Sequence, residues 1–417
     1  MISLVEALGY RCLKYVRQPL GPFHVLVGPN ASGKTTFLDV IGFLSQFVSE
    51  GLDAAIESRT NDFRDLVWGR KDVTFELAIE SSIPEELRPL LENKVADTVR
   101  YELALGPEPT TGEIQILSEN GLLKQSVENL QQRLRFPEPL DSPDHIVTKK
   151  TSKAYRRLFT KTPGGNDNYY ADAREQSGHW APAFKLGPRK STLGNLPEDE
   201  SNFPVSTWFK QFLSDGVEKV VLESSEIRLA SRPGLPSTFR PDGSNLPWVV
   251  NALQKGFPDR AAAWIEHVRT GLPELTGVDT REREDDRHRY LVLKYQGGLE
   301  VPSWMASDGS LRLLALTLPA YLQGLKGIYL IEEPENGIHP KAVETMFQSL
   351  SSVYHSQILM ASHSPVVLSS AEPKQVLCFA KNSEGATDIV TGDNHPRLKD
   401  WRGEVDLGVL FAAGVLG

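Results

Sequence analysis

The sequence predicts an α/β fold: a mixed sheet, an antiparallel β meander and an inserted helical and irregular lobe. Three observations predict it. A glycine-rich loop, Gly28-Pro29-Asn30-Ala31-Ser32-Gly33-Lys34-Thr35-Thr36, lies between a short apolar run and a stretch with helical spacing. Apolar and polar residues alternate in runs from Val73 to Ile116. A second apolar run, Ile328 to Ile331, ends in two adjacent carboxylates, Glu332 and Glu333.

The loop fits the pattern G-x-x-x-x-G-K-[ST] without a mismatch. Phe23 to Val27 reads as a buried strand and Thr36 to Phe47 as a helix. Strand, loop and helix in that order place backbone N–H groups and a helix N-terminus around a phosphate chain. One helix end contributes only about 0.3–1 kcal/mol to an anion, so the loop needs further help. Lys34 supplies a full positive charge to the β- and γ-phosphates, and Thr35 a hydroxyl to Mg²⁺. Gly28 and Gly33 let the backbone approach where a Cβ would clash. A chance match in an ordinary glycine turn is the plainer reading; the flanking strand and helix argue against it.

A chain of 417 residues buries a large core and divides into two or more lobes. Its composition, 40% hydrophobic and 24% charged, is that of an ordinary soluble protein. A net charge of −9 excludes a general nucleic-acid coat and leaves room only for a local basic patch. Cys12 and Cys378 have no metal-ligand spacing and imply no disulfide framework, so a reducing, cytoplasmic setting is expected. No apolar run approaches the roughly 20 residues of a membrane span, and the N-terminus has no apolar signal core.

Along the chain, residues 2–8 read as a first strand. Val73, Phe75, Leu77 and Ile79, and then Val99, Tyr101, Leu103 and Leu105, alternate with polar partners, which predicts half-exposed antiparallel strands added to the nucleotide-binding sheet. Val127 to Leu134 reads as a helix. His145 to Lys161 holds Lys149, Lys150, Lys153, Arg156, Arg157 and Lys161, a solvated helix face or a contact for a nucleic-acid backbone. Residues 162–204 are rich in Pro, Gly, Asn and Asp and read as a long loop; Gly178-His179-Trp180 within it suits a packed pair better than a ligand. Ser206 to Leu213 reads as a short helix, Val217 to Leu222 as a strand, and helices follow over 247–255 and 259–271. Arg281 to Arg289 is a solvated hairpin end. The lobes expected are 1–123, 124–250 as the insert, and 251–417.

The second half of the site lies late in the chain. The end of a parallel strand is where an α/β sheet gathers ligands. Glu332 is assigned there to the metal and Glu333 to orienting or deprotonating the attacking water. Gln357 to Ser362 is another buried strand, and His363 after it can donate to the γ-phosphate. Ser307-Asp308-Gly309-Ser310 precedes a strong helix; plain capping explains it, and so does a second anion grip. One nucleotide cannot readily use both grips of one molecule, whereas a head-to-tail pair can.

In this order the motifs resemble the ABC-type ATPase heads of the SMC, RecF and OLD group, and most of all the prokaryotic AAA-family ATPases with an EEPENGIHP strand end. The resemblance implies that Gly28–Thr36 is the Walker A loop and Ile328–Glu333 Walker B. It implies Glu333, with Lys34 and His363, as the catalytic set, Thr35 and Glu332 as metal ligands, and Ser307-Asp308-Gly309 as the signature that reaches across a dimer. Glu335-Asn336-Gly337 stands at the D-loop. Asp242-Gly243-Ser244-Asn245-Leu246 and the C-terminal DLGVLFAAGVLG also resemble stretches of these proteins. Walker B has Glu332 where many relatives have Asp, the signature is SDGS, and no glutamine is placed for the Q-loop.

The expectation is therefore an ATP- and Mg²⁺-dependent ATPase acting as a homodimer or higher homo-oligomer. About 50 residues follow His363, too few for the nuclease domain of the OLD group, so effector chemistry is expected from a separate nuclease or toxin-like chain, in bacterial anti-phage defence. A DNA-repair or DNA-end-binding ATPase shares every motif and would use Lys149, Lys150, Lys153, Arg156 and Arg157. A transporter subunit suits the long insert and the SDGS signature poorly, and a small-molecule kinase does not explain Ser307–Gly309 with His363.

Overall fold

The structure, a computed structural model, describes residues 1–70, 73–91, 95–126, 134–150, 152, 154–173, 182–398, 407–412 and 414. The first of its three sheets is antiparallel. Its order is β2 (Leu13–Pro19), β1 (Ile2–Tyr10), β4 (Phe75–Ser82), β5 (Thr98–Pro107), β6 (Ile114–Lys124), β7 (Tyr155–Lys161), β8 (Asp167–Tyr169) and β9 (Ala183–Phe184). The second runs β10 (Val217–Val220), β14 (Gly327–Glu332), β15 (Ser356–Ala361), β3 (Phe23–Val27), β16 (Val376–Lys381) and β17 (Thr387–Thr391), parallel except for β17. A small third sheet joins β11 (Leu275–Glu282), β12 (Arg289–Tyr295) and β13 (Glu300–Pro302).

Helix α1 (Lys34–Ser49) lies between the two large sheets. Its apolar residues wrap most of the helix, and Phe37, Ile41, Phe43, Leu44 and Phe47 are all buried. Phe43 meets Tyr10 and Phe75 of the first sheet, with ring centroids at 5.9 and 5.6 Å. The next helix, α2 (Leu52–Glu57), is short, and α3 (Pro204–Asp215) packs beside α1. The same core takes Ile328 and Leu330 of β14, while Tyr329 and Ile331 point the other way. That other face is covered by α5 (Leu246–Gly256), α6 (Pro258–Gly271), α7 (Asp308–Thr317), α8 (Pro340–Ser351) and α9 (Pro365–Ser370); α4 (Ser224–Arg228) leads into this layer. The sheets are tied directly: Gln357 on β15 accepts from Ile2 N–H at 2.9 Å and donates to Ile2 and Gly21 carbonyls at 2.8 and 2.7 Å.

Two sequence expectations change. The meander is a separate sheet, not an extension of the nucleotide-binding one, and β4 and β5 are buried on both faces rather than half-exposed. The physical reason is a cover over the polar face. Arg100 reaches Glu6, Glu80 and Glu102 at 2.7, 3.2 and 2.7 Å. Ile146 and Val147 N–H donate to Glu76, and Thr148 N–H to Glu102. Carboxylates that look solvent-facing in the alternation are thus buried with partners.

The same contacts correct the basic cluster. His145 to Thr148 is an irregular strap with bends at Ile146 and Val147, and residues 155–161 are strand β7, so among the described residues no helix face gathers these cations. Lys149 and Lys150 are exposed, Arg156 and Arg157 are half-buried on β7 with Arg156 donating to Ala171 O, and Lys161 is buried against Asp167 at 2.5 Å. Lys153 lies outside the described residues, as do 127–133 of the expected helix and Gly178-His179-Trp180. Residues 124–250 contribute to both large sheets, through β7–β9 and β10, as well as supplying α3 and α4. Of the C-terminal DLGVLFAAGVLG, the described part forms α10 (Leu407–Ala412), packed on α9. Among the described residues no helix is long and apolar enough to cross a membrane.

Candidate functional site

The loop after β3 has the backbone its glycines allow. Gly28 has φ 146° and Gly33 φ 106°. A Cβ on Gly28 would lie 2.2 Å from Phe379 O, and one on Gly33 2.3 Å from Thr387 Oγ1. Ala31 joins them at φ 60°. The loop is fixed from behind by Thr387, whose hydroxyl donates to Ser32 O at 2.8 Å and whose N–H donates to Cys12 O. Gly33 is the N-cap of α1 and offers no side-chain acceptor, and no acidic residue sits in the first turn. The first-turn N–H groups are therefore left for an anion. Lys34 Nζ folds over the loop and donates to Gly28 O at 2.8 Å and Pro29 O at 3.0 Å. Burial lowers its pKa and the Glu333 carboxylate pulls it back up. Pro29, Asn30, Ala31 and Thr35 are exposed around the loop and Thr36 is half-exposed.

Strand register brings the distant motifs to this loop. Leu26 pairs with Ala361, and Ala361 with Glu332, so β3, β15 and β14 end side by side. Thr35 Oγ1 donates to Glu332 Oε2 at 2.6 Å. Glu333 follows with a left-handed backbone, φ 47°. Its N–H donates to Ala361 O at 2.8 Å, and its Oε2 accepts from Asn336 Nδ2 at 2.5 Å. A non-glycine residue in this region costs of order 1–2 kcal/mol, which the β15 and Asn336 contacts offset. Glu335 Oε1 accepts from Ser362 Oγ at 2.8 Å and from His363 N–H at 2.9 Å, which locks the turn after β14 to the turn after β15. His363 is half-buried there.

Ser307 is the N-cap of α7: its hydroxyl accepts from Ser310 N–H at 3.2 Å and lies 2.8 Å from Ser310 Oγ. Ser307 and Asp308 are exposed. Asp308 pairs with Arg228 at 2.7 Å, and a Cβ on Gly309 would lie 2.4 Å from Gly337 O. The 307–310 turn therefore packs on the 335–337 turn, and its polar contacts run to Arg228 and Ser310 rather than to the phosphate loop. Capping engages the Ser307 hydroxyl at the helix end, while Ser307 and Asp308 remain solvent-exposed.

Three features had no sequence signal. A cavity of about 490 Å³ opens beside Thr35 and Glu332. On its wall Asp39 joins Arg11 at 3.1 Å, Arg59 at 2.8 Å and Tyr10 OH at 2.6 Å. Lys219 of β10 lies 3.0 Å from Glu332 Oε1. Only the sheet order, with β10 next to β14, sets that lysine against Walker B. ATP and Mg²⁺ fit the residues present. The glycine cradle has no room for a Cβ, Ser32 Oγ is buried without a hydrogen-bond partner, and the Thr35 hydroxyl and Glu332 carboxylate are the oxygen donors that Mg²⁺ takes.

A family profile described as "AAA domain, putative AbiEii toxin, Type IV TA system" matches residues 23–369. Among solved structures, the chain is similar to an Smc head bound to the C-winged helix domain of ScpA, at 15% identity and a TM-score of 0.54, over 94% of this chain and 97% of that one. It is similar also to an Smc head domain with an extended coiled coil bound to the C-terminal domain of ScpA from Pyrococcus furiosus. There the identity is 14% and the TM-score 0.52, over 94% and 96% of the two chains. At such identities the likeness is one of fold: a mixed α/β head with an antiparallel and a mainly parallel sheet.

Proposed function

We propose, on the premise that the chain belongs to this AAA-domain family, that it is an Mg²⁺-dependent ATPase whose heads pair around ATP and so control a separate effector chain. The observation that carries the reading is the hydrogen bond from Thr35 to Glu332, which joins the phosphate loop to the carboxylate at the same end of the parallel strands. Lys34 would bind the β- and γ-phosphates, giving up its loop carbonyls for them. Thr35 and Glu332 would hold Mg²⁺, which when bound neutralises charge on the phosphates. Glu333, held by Asn336, would orient the attacking water and take its proton. His363, fixed through its N–H by Glu335, would sense the γ-phosphate.

Pairing is supported by the exposure of Ser307 and Asp308 on a turn that Arg228 and Gly337 hold in place. In the proposed dimer each Ser307 meets the nucleotide of the other head. The family's description names a toxin of a Type IV toxin–antitoxin system; control of a separate effector chain and a role in anti-phage defence extend that description as part of this proposal. The test is light scattering of Glu333→Gln with saturating Mg·ATP: a doubled mass supports the sandwich, and a monomer sinks it. Turnover stimulated by DNA would favour the DNA-end-binding alternative.

A further inference from the structure

We propose that Lys219 is a tethered counter-cation for Glu332, a positioning residue that the catalytic metal displaces when it binds; this rests on the nucleotide-site reading above. Both oxygens of Glu332 have partners: Oε2 accepts from Thr35 at 2.6 Å, and Oε1 lies 3.0 Å from Lys219 Nζ. The carboxylate is thus oriented and charge-balanced before any metal arrives. A surface lysine paired with a surface glutamate is ordinarily of little consequence. This pair differs because its carboxylate is the one already bonded to the phosphate-loop hydroxyl.

The sheet builds the arrangement. Lys219 sits on β10, the edge strand, opposite Leu330 of β14, two residues before Glu332. Strand β10 reads Val217-Glu218-Lys219-Val220. Mg²⁺ requires oxygen ligands at about 2.1 Å in near-octahedral order. An ammonium on the same carboxylate would then lie close to a dication, and the repulsion between like charges would weaken its hold on that carboxylate. Lysine is the one that can leave. Its side chain is 61% exposed, with a flexible stem and water to receive it. Losing an exposed pair of this kind shifts an equilibrium by no more than about fivefold, so the competitor tunes metal affinity without blocking it.

The experiment titrates Mn²⁺, visible by EPR, into the full chain with saturating ADP, for wild type, Lys219→Met and Lys219→Arg. The proposal expects Lys219→Met to bind Mn²⁺ about two- to fivefold more tightly than wild type, because the competitor is gone. It expects Lys219→Arg to behave as wild type. Unchanged or weaker Mn²⁺ binding by Lys219→Met, in a protein whose wild type binds Mn²⁺ with ADP, overturns the role of Lys219 alone. A wild type that takes up no Mn²⁺ with ADP overturns the nucleotide-site reading and this inference together.

Discussion

Thr35 and Glu332 stand 297 positions apart, and the threonine hydroxyl donates to the glutamate carboxylate at 2.6 Å. One residue lies in the first turn of the first helix and the other is the last of a strand late in the chain. Their meeting defines where a nucleotide would sit, and the predictions below start from it.

Lys34→Ala removes the only full positive charge on the phosphate loop. Charge-assisted hydrogen bonds are worth about 1.5–3 kcal/mol each, so affinity for a fluorescent ATP analogue should fall by about 100-fold or more. Calorimetry should show the fold retained, because Lys34 bonds only to two loop carbonyls, Gly28 O and Pro29 O.

Glu333→Gln keeps an oxygen for Asn336 and removes the carboxylate proposed as the base. ATP turnover should drop by roughly 10²–10⁴-fold with binding preserved. Phosphate release under single-turnover conditions checks this, alongside the mass measurement described above.

Gly33→Ala forces a Cβ to within 2.3 Å of Thr387 Oγ1 at a backbone φ of 106°. Strain of about 1–3 kcal/mol should appear as a lower melting temperature together with lost nucleotide binding. Adding Thr387→Ala should relieve the steric part and leave the backbone part.

Arg100→Met leaves Glu6, Glu80 and Glu102 facing one another without their shared partner. Burial works against the Arg100 charge, but Glu6 and Glu102 hold its pKa above the ordinary value. Breaking such a network costs about 3–5 kcal/mol, read from denaturant unfolding at pH 7.

Asp172 gives a pH dependence with a definite sign. Burial raises its pKa from 3.8 to about 6, against the opposing hydrogen bonds from Ser206 and Val205. The folded state therefore holds a proton that the unfolded state has lost between those values. Its contribution to stability falls as pH rises from about 4 to 6, by on the order of 3 kcal/mol, and is flat above. Asp172→Asn should lack this slope, and the difference between the two unfolding profiles isolates it.

Much of the site was legible because its parts are local. Gly28, Gly33, Lys34 and Thr35 follow one another on a strand–loop–helix, and Glu332 and Glu333 end an apolar run, so each half announces itself through spacing. The first-sheet carboxylates were not legible: Glu76, Glu80 and Glu102 alternate with apolar residues just as solvent-facing side chains do. Their burial depends on Arg100 and on the 145–148 strap, whose N–H groups reach them from 46 to 71 positions away. The basic cluster misled for the opposite reason. Charges close in sequence were split by a change from irregular strap to strand, and Lys161 was turned inward to Asp167.

By itself the sequence determined the glycine loop, the paired carboxylates and most of the elements around them, since these follow from periodicity and short-range sterics. Only the tertiary structure decided that Glu332 meets Thr35 on one side and Lys219 on the other, because strand order and register are set by which apolar faces pack together. Two residues hundreds of positions apart carry no mark of being neighbours until that packing makes them so.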